Sequence, residues 1–440
     1  MVRIRQPKPR PHKIGTLNHL CRLLVPNCKL LIAAALLLFS SCTQHHRRFD
    51  PAVVAFNASC NPLYDNQLYP SLLLATNQTS QDNFNSQLSI FDLSVTSPAD
   101  NSVLRIIVDS SALNYVTTLQ EILPRRGQTY SFNPSIKWKY DILRRLRQPG
   151  AVDLTFTCYI NDEQIDIKNL HLNYRTVNEC PLSLIAPYNK QTPTQNKIID
   201  FRWLFAAYVN EDHPYIQQIL TDILSQGTVT RFTGYQNNNP QTVIDQAFAV
   251  WYYALDRGIA YSSITCTSNP SPRANVQHIR FFDEVYNTRQ ANCVDACVFF
   301  ASILRKIGLK TVIFVEPCHA YLGFYTDRNR RNITLLETTI TSWVNFPDLQ
   351  RSLLPNGQLP ENKYNKIAKY LTPQQQDDYH AGRITFDQLK LIIAHSLFDK
   401  ATQYNLETHQ ANLQHFADSA AINYQQLDLD QLRSQVQPIN

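Results

Sequence analysis

The chain has 440 residues, of which 44% are hydrophobic, 11% aromatic and 17% charged. This composition excludes a disordered or collagen-like chain, because such chains lack the apolar surface that offsets the entropy lost on ordering. The formal net charge is +6, but residues 1–41 hold seven of the 41 basic residues and none of the 35 acidic ones. The rest of the chain is therefore nearly neutral, which argues against nucleic acid as a partner.

The N-terminus has the pattern of a secretion signal. A basic segment precedes the apolar run LLIAAALLLF at residues 30–39, and Ser40 and Ser41 follow it directly before Cys42. Such a run rises only about 15 Å as a helix, which is too short to cross a hydrocarbon core of about 30 Å. We therefore predict a lipoprotein-type signal peptide over residues 1–41.

Cys42 stands where a lipobox has its lipid-modified Cys, so we predict a lipid anchor there that holds the protein on a membrane without spanning it. The protein is then expected in a bacterial cell envelope, facing the periplasm. An ordinary secreted protein and a cytosolic protein with an apolar N-terminal helix are the alternatives. Disulfides persist after export. Seven of the ten Cys follow Cys42, and Cys60, Cys158 and Cys180 are candidates for one disulfide whose pairing the sequence leaves open.

A β pattern follows a polar tether at residues 42–65. Over residues 66–180, short runs with alternating apolar positions are separated by turn-forming residues. The strands predicted there are 70–74, 87–94, 103–109, 152–160 and 166–174. Their number and spacing predict an N-terminal β-sandwich of immunoglobulin-like type. A Pro- and polar-rich stretch at residues 181–197 is predicted as a linker.

Helical patterns prevail in the next region, which we predict as one α+β domain over residues 198–345. The predicted helices are 198–209, 212–225, 241–257, 276–288 and 293–307, and the predicted strands are 311–316, 320–326 and 333–337. A helix thus leads into an antiparallel sheet. Residues 346–440 are predicted as a helical C-terminal extension, in which Thr372 and Pro373 open one helix.

Cys293 opens the last predicted helix of that domain. The free N–H groups at the start of a helix stabilise an anion, favour a thiolate and can donate to an oxyanion. His319, 26 residues later, can act as general base, and Glu337, a further 18 residues on, can orient the imidazole. These spacings fit a helix followed by three strands, with the three side chains at one end of the sheet.

Neighbouring residues have supporting roles in this prediction. Gln290 and Asn292 are candidates to polarise a substrate carbonyl, whereas Asp295 complements the positive end of the helix. Cys297 lies on the same helix face as Cys293 and is interpreted as core packing. A zinc site is the alternative, with the ligand set Cys293, Cys297, Cys318 and His319. We disfavour it because adjacent strand residues point to opposite faces, and we expect no metal or other cofactor.

The order of helix Cys, strand His and strand acid resembles the transglutaminase-like superfamily of cysteine enzymes. More widely, the chain resembles uncharacterised bacterial lipoproteins with a β-domain, a transglutaminase core and a helical tail. The segments that carry the resemblance are RGIAYSSIT (257–265), QANCVDACVFFASILRKIG (290–308), CHAYLGFY (318–325) and LETT (336–339).

The resemblance implies a papain-like α+β core with Cys293 as the nucleophile and His319 as the base. Glu337 stands where the superfamily usually has Asp, and Cys318 stands where Gly commonly precedes the His. The function implied is hydrolysis of, or acyl transfer from, peptide or protein amides in the cell envelope. The alternative is a catalytically dormant binding or scaffold lipoprotein on the same fold, which the departures at Glu337 and Cys318 favour.

Overall fold

The computed structural model describes residues 54–76, 89–186, 198–263, 271–418 and 420–439. The predicted signal peptide over residues 1–41 and the predicted lipid attachment at Cys42 lie outside these residues.

The strands are β1 (Phe56–Cys60), β2 (Gln67–Leu68), β3 (Phe91–Thr96), β4 (Ser102–Val108), β5 (Thr117–Leu123), β6 (Thr129–Phe132), β7 (Gly150–Ile160), β8 (Glu163–Tyr174), β9 (Glu179–Ile185), β10 (Ile198–Asp200), β11 (Ala260–Tyr261), β12 (Ala274–His278), β13 (Gln290–Ala291), β14 (Thr311–Glu316), β15 (His319–Tyr325), β16 (Ile333–Leu336) and β17 (Gln425–Asp428).

The α-helices are α1 (Pro70–Ala75), α2 (Tyr140–Leu143), α3 (Phe205–Tyr208), α4 (Pro214–Gln226), α5 (Pro240–Arg257), α6 (Phe282–Thr288), α7 (Cys293–Lys306), α8 (Phe346–Arg351), α9 (Glu361–Ile367), α10 (Pro373–His380), α11 (Phe386–Gln403), α12 (Leu406–Ala417) and α13 (Leu429–Leu432). Short 3-10 helices occupy Arg202–Leu204, Thr338–Ser342 and Ala368–Tyr370.

Two sheets form the N-terminal part, with strand orders β1-β3-β6 and β2-β8-β7-β4-β5. Residues on β3 and β4 alternate between buried and more exposed, as strands with one covered face do. The rings of Phe91 on β3 and Phe156 on β7 lie 5.6 Å apart, so the two sheets share one apolar core. The strands predicted at 103–109, 152–160 and 166–174 are confirmed as β4, β7 and β8.

Several local predictions in this part are wrong. The segment 70–74 is helix α1, because Pro70 suits the first helical turn and the whole segment is buried, which removes the period-two signal of a half-buried strand. Strand β1 lies within the predicted tether, and β9 extends into the predicted linker. Cys60, Cys158 and Cys180 are buried free thiols on three different strands, so the expected disulfide does not form among them.

The α+β part is built around α7, which packs between a layer of helices and the sheet β16-β15-β14-β17. Trp251 of α5 is fully buried and contacts the ring of Phe300 on α7 and that of Phe398 on α11, with centroids 5.8 and 6.0 Å away. Two smaller sheets, β10-β9-β12 and the parallel pair β11-β13, lie beside this core. The structure therefore confirms a mixed α+β class.

Two predicted helices of this part are corrected. The segment 276–288 is strand β12 followed by α6, and the segment 198–209 is strand β10, a 3-10 turn and the short helix α3. Both segments are apolar because they are buried among several elements, so their periodicity did not separate strand from helix. The helices predicted at 212–225 and 241–257 are confirmed as α4 and α5, each of which begins with Pro and ends before a Gly at positive φ.

The C-terminal extension is mainly helical, as predicted, and Thr372 caps α10 with Pro373 in its first turn. The end of the extension differs from the prediction because it contains a strand. This strand, β17, pairs with β14 at the edge of the sheet β16-β15-β14-β17. The backbone N–H of Ile439 then bonds to the carbonyl of Ala207, 3.0 Å away. Within the described ranges, no helix has the length and apolarity needed to span a membrane.

Candidate active site

Helix α7 begins at Cys293 because Asn292 caps it. The side-chain oxygen of Asn292 accepts the N–H of Asp295, and the Asp295 carboxylate accepts the N–H of Asn292, both at 2.9 Å. This reciprocal capping box fixes the first turn of the helix. It also fixes the thiol of Cys293, which is half-buried and stands at the positive end of the helix dipole.

Asp295 is fully buried and has a structural role. Its carboxylate accepts the backbone N–H of Arg280 at 2.8 Å and the guanidinium of Arg280 at 2.7 Å. Burial raises the pKa of Asp295, and the bonds from Asn292 and Arg280 offset part of that rise. The side-chain amide of Asn292 donates to the carbonyl of His278 at 3.2 Å, so the polar groups of Asn292 are also taken up within the protein.

His319 is held by a tight hairpin. Strands β14 and β15 pair from Thr311 with Phe324 to Glu316 with His319, which leaves Pro317 and Cys318 as the two turn residues. His319 is therefore the first residue of β15, at the end of the sheet that faces the start of α7. Its side chain is 29% exposed.

Glu337 follows directly after β16 and is fully buried. One carboxylate oxygen accepts the imidazole Nε2–H of His319 at 2.7 Å and the amide of Asn405 at 2.7 Å. The other oxygen accepts the backbone N–H and the hydroxyl of Thr339, at 2.9 and 2.5 Å. Burial raises the pKa of Glu337. The hydrogen bond and charge of His319, together with the hydrogen bonds of Thr339 and Asn405, lower that pKa by more.

His319 interacts with both Cys293 and Glu337. These interactions raise the pKa of the imidazole to about 10, against the opposing effect of burial. Since Nε2 contacts Glu337, the other nitrogen, Nδ1, is the one left for Cys293. The structure thus brings the three predicted residues together, with the imidazolium of His319 stabilised by the Glu337 carboxylate.

A groove of about 540 Å³ opens at Cys293 and His319. Its walls come from β9, β12, the β14–β15 hairpin and the segment before β17. Apolar side chains and neutral amides dominate its lining: Leu182, Ile198, Phe205, Val276, Val294, Val315, Ile422, Asn275, Gln277 and Asn423. Besides His319, the lining has two charged side chains that are bonded within the protein, Arg202 to Asp200 at 2.6 Å and Glu316 to Asn412 at 3.0 Å.

The other predicted residues lie at the edge of this arrangement. Gln290 is exposed on β13 and is not part of the groove lining. Cys297 is buried, its sulfur lies 3.9 Å from the hydroxyl of Thr338, and burial raises the pKa of its thiol well above the ordinary value. Cys318 is exposed and lines the groove. Within the described ranges, no group of three His, Cys, Asp or Glu side chains is placed to hold a metal ion.

Sequence reasoning missed three residues at the site. Asn405 and Arg280 bond the two buried carboxylates. Burial, and after it the nearby Cys293 and Glu337, raise the pKa of the Tyr261 phenol. Tyr261 carries a signal, since it belongs to the segment RGIAYSSIT. A comparison with known proteins adds no family, because no protein-family model matches the chain and no curated protein matches its sequence.

Proposed function

We propose that the protein is a cysteine-dependent amide hydrolase or acyl transferase of transglutaminase-like fold. The observation that carries the proposal is that Cys293 and His319 line the same groove while His319 is bonded at 2.7 Å to the buried Glu337. Thiol enzymes use this order of groups as nucleophile, base and orienting acid. In this proposal α7 and the sheet β16-β15-β14-β17 form a papain-like core, and the two N-terminal sheets form an immunoglobulin-like β-sandwich.

The reaction that fits these groups is acyl transfer through a thioester. The Cys293 thiolate attacks the carbonyl carbon of an amide, and the C–N bond breaks as His319 gives its proton to the leaving amine. Water then releases the acyl group as an acid, or a second amine takes it up as a new amide. Glu337 holds the imidazole in place through Nε2 and stabilises its positive charge throughout.

The oxyanion of this reaction would be bound by the backbone. The first N–H groups of a helix have no intrahelical acceptor. In α7 the N–H of Asp295 bonds to the Asn292 side chain and that of Ala296 to the Asn292 carbonyl. The N–H groups of Cys293 and Val294 precede them, and both residues line the groove. We therefore assign the oxyanion to these N–H groups in place of the side chains of Gln290 and Asn292.

The groove favours a neutral polypeptide as the substrate. Its apolar and amide lining suits extended peptide with uncharged side chains, whereas the guanidinium of Arg202, which could attract a phosphate, is already paired with Asp200. Peptide or protein amides of the cell envelope are the matching substrate class. We further propose that the protein reaches them as an exported lipoprotein anchored at Cys42.

The experiment is competitive alkylation with iodoacetamide at pH 6, read by mass spectrometry. Cys318 is the internal control, because it is exposed on the same groove but lies in the β14–β15 turn and not at the start of a helix. An ordinary thiol is less than about 1% ionised at this pH. We expect Cys293 to react at least about tenfold faster than Cys318, and the preference to vanish in His319→Ala.

Equal labelling of Cys293 and Cys318 in the wild type would reject an activated nucleophile and favour the alternative of a catalytically dormant scaffold.

Detergent partitioning of the same preparation tests the predicted lipid anchor at Cys42. The wild type should enter the detergent phase and Cys42→Ala should remain in water, and equal partitioning of the two would contradict the anchor.

A further inference from the structure

The starting observation is the way in which Asn405 uses its side chain. Asn405 occupies the N-cap position of α12, where an Asn side chain ordinarily accepts an N–H of its own helix. Here it makes no such cap bond. Instead it is 5% exposed and donates its amide N–H to Glu337 at 2.7 Å, across 68 residues of sequence. The Asn405 side chain therefore bonds to the carboxylate that binds His319 instead of capping its own helix.

Helix α12 is docked on the sheet by one stripe of side chains. Asn405, His409 and Asn412 follow each other at helical spacing and share one face. His409 bonds to the hydroxyl of Tyr321 at 2.9 Å, and Asn412 to the carboxylate of Glu316 at 3.0 Å. No residue of α12 is fully buried, so these polar contacts, with the ring of Phe416, set where the helix lies. Their effect is to deliver Asn405 to Glu337.

We propose that Asn405 is a positioning residue of the active site, which holds the Glu337 carboxylate ionised and aimed at His319. The inference rests on the proposed function, because it gives the Cys293, His319 and Glu337 set a fourth member. It also gives the C-terminal extension a role in the reaction, since α12 carries this residue.

The chemistry of an amide explains the choice of Asn at this position. Glu337 is fully buried, and a buried carboxylate must be neutralised by hydrogen-bond donors to remain charged. A neutral N–H donor stabilises the anion without adding a charge that would compete with the imidazolium. An Asp at position 405 would do the opposite, because two carboxylates that share a site cannot both ionise readily, and protonation of the pair begins at a higher pH.

The chain offers a control at Gln410, an exposed amide side chain on the same helix that is not part of this stripe. We would measure the rate of Cys293 alkylation from pH 4 to pH 10 in the wild type, Asn405→Asp, Asn405→Ala and Gln410→Glu. In Asn405→Asp the acid limb of the profile should move upward by at least about one pH unit. In Asn405→Ala the rate at pH 6 should fall about tenfold. Gln410→Glu should retain the wild-type acid limb.

Two results would overturn the proposal, and they are distinguishable. If both Asn405 variants give the wild-type profile while His319→Ala still abolishes the labelling preference, the role of Asn405 is wrong and the proposed function stands. If the wild type itself shows no preference for Cys293, the proposed function fails and this inference fails with it. Should Asn405→Asp fail to fold, as judged by circular dichroism, the tenfold fall expected for Asn405→Ala decides alone.

Discussion

Cys318 has a backbone conformation that its residue type seldom adopts. Among the described residues, nine non-glycine residues have positive φ, and six of them are Asn or Asp, which tolerate this region. Cys318 has φ of 63° at the second position of its turn, after Pro317. Pro followed by positive φ is the pattern of a type II turn, which favours Gly at this point. A Gly would adopt this conformation without strain.

Replacement of Cys318 by Gly should therefore relieve strain. We expect Cys318→Gly to be more stable than Cys318→Ala by about 1 kcal/mol, because only the Ala variant keeps a β-carbon in the left-handed region. Both variants lack the thiol, so their difference isolates the backbone effect. The measurement is the free energy of unfolding in urea. An Ala variant as stable as the Gly variant would contradict the assignment of strain.

At the scale of single elements, the first turn of α7 is held both by its capping box and by an ion pair with Arg280. Asp295 satisfies the cap at Asn292 and neutralises Arg280, which is itself buried. One carboxylate thus fixes the start of the helix and the strand-to-helix connection before it. Because Cys293 is the next residue after the cap, any displacement of this turn also displaces the thiol. The position of the Cys293 thiol therefore depends on the capped first turn of α7.

Removal of the Asp295 carboxylate should be severely destabilising. We expect Asp295→Ala to lower the free energy of unfolding by about 3–5 kcal/mol, because it leaves the Arg280 guanidinium buried without its counter-charge. The matched control is Asp387→Ala, since Asp387 is also an acid in a first helical turn but is 86% exposed. Its loss should be much smaller in the same urea titration. Equal losses would show that Asp295 acts only through the helix dipole.

The sequence predicts the elements whose contacts are local and misses those that depend on distant partners. The start of α7 and the β14–β15 hairpin could be predicted, because a polar cap, a Pro turn and alternating apolar residues are local signals. Strand β17 has no such signal in its sequence QQLD, since it is extended only through pairing with β14. Asn405 likewise meets Glu337 only through the docking of α12. Its one sequence signal is the polar stripe with His409 and Asn412.

At the scale of the whole molecule, the C-terminal end of the chain binds several elements of the α+β part together. After β17, Asp430 accepts bonds from Arg305 of α7 and from Arg330 near β16. Arg433 then donates to the carbonyls of Ala206 and Val209, at 3.0 and 2.7 Å. The end of the chain therefore joins α7, the sheet β16-β15-β14-β17 and α3. A local change far from Cys293 can weaken all three together.

Replacement of Arg433 tests these contacts of the C-terminal end most directly. Besides the two carbonyls, it binds the Glu211 carboxylate at 2.6 Å and is 19% exposed. We expect Arg433→Ala to lower the free energy of unfolding at pH 7 by about 2–3 kcal/mol, because charge-assisted bonds in partly buried sites are lost. The control is Arg351→Ala, which removes a 69% exposed side chain 3.7 Å from its partner and should change little.

The pH dependence of this loss follows from Glu211. Burial raises the pKa of Glu211, but the bond and charge of Arg433, with the charge of Arg305, lower it by more. A carboxylate with a lowered pKa in the folded state stabilises the fold above its unfolded pKa, and this contribution disappears as the pH falls through the folded value. The gap between the wild type and Arg433→Ala should thus be widest near neutrality and narrow below about pH 4. Urea titrations at pH 7, 5 and 3.5 measure it, and a gap that widened on acidification would show that the Arg433–Glu211 pair does not hold the end of the chain.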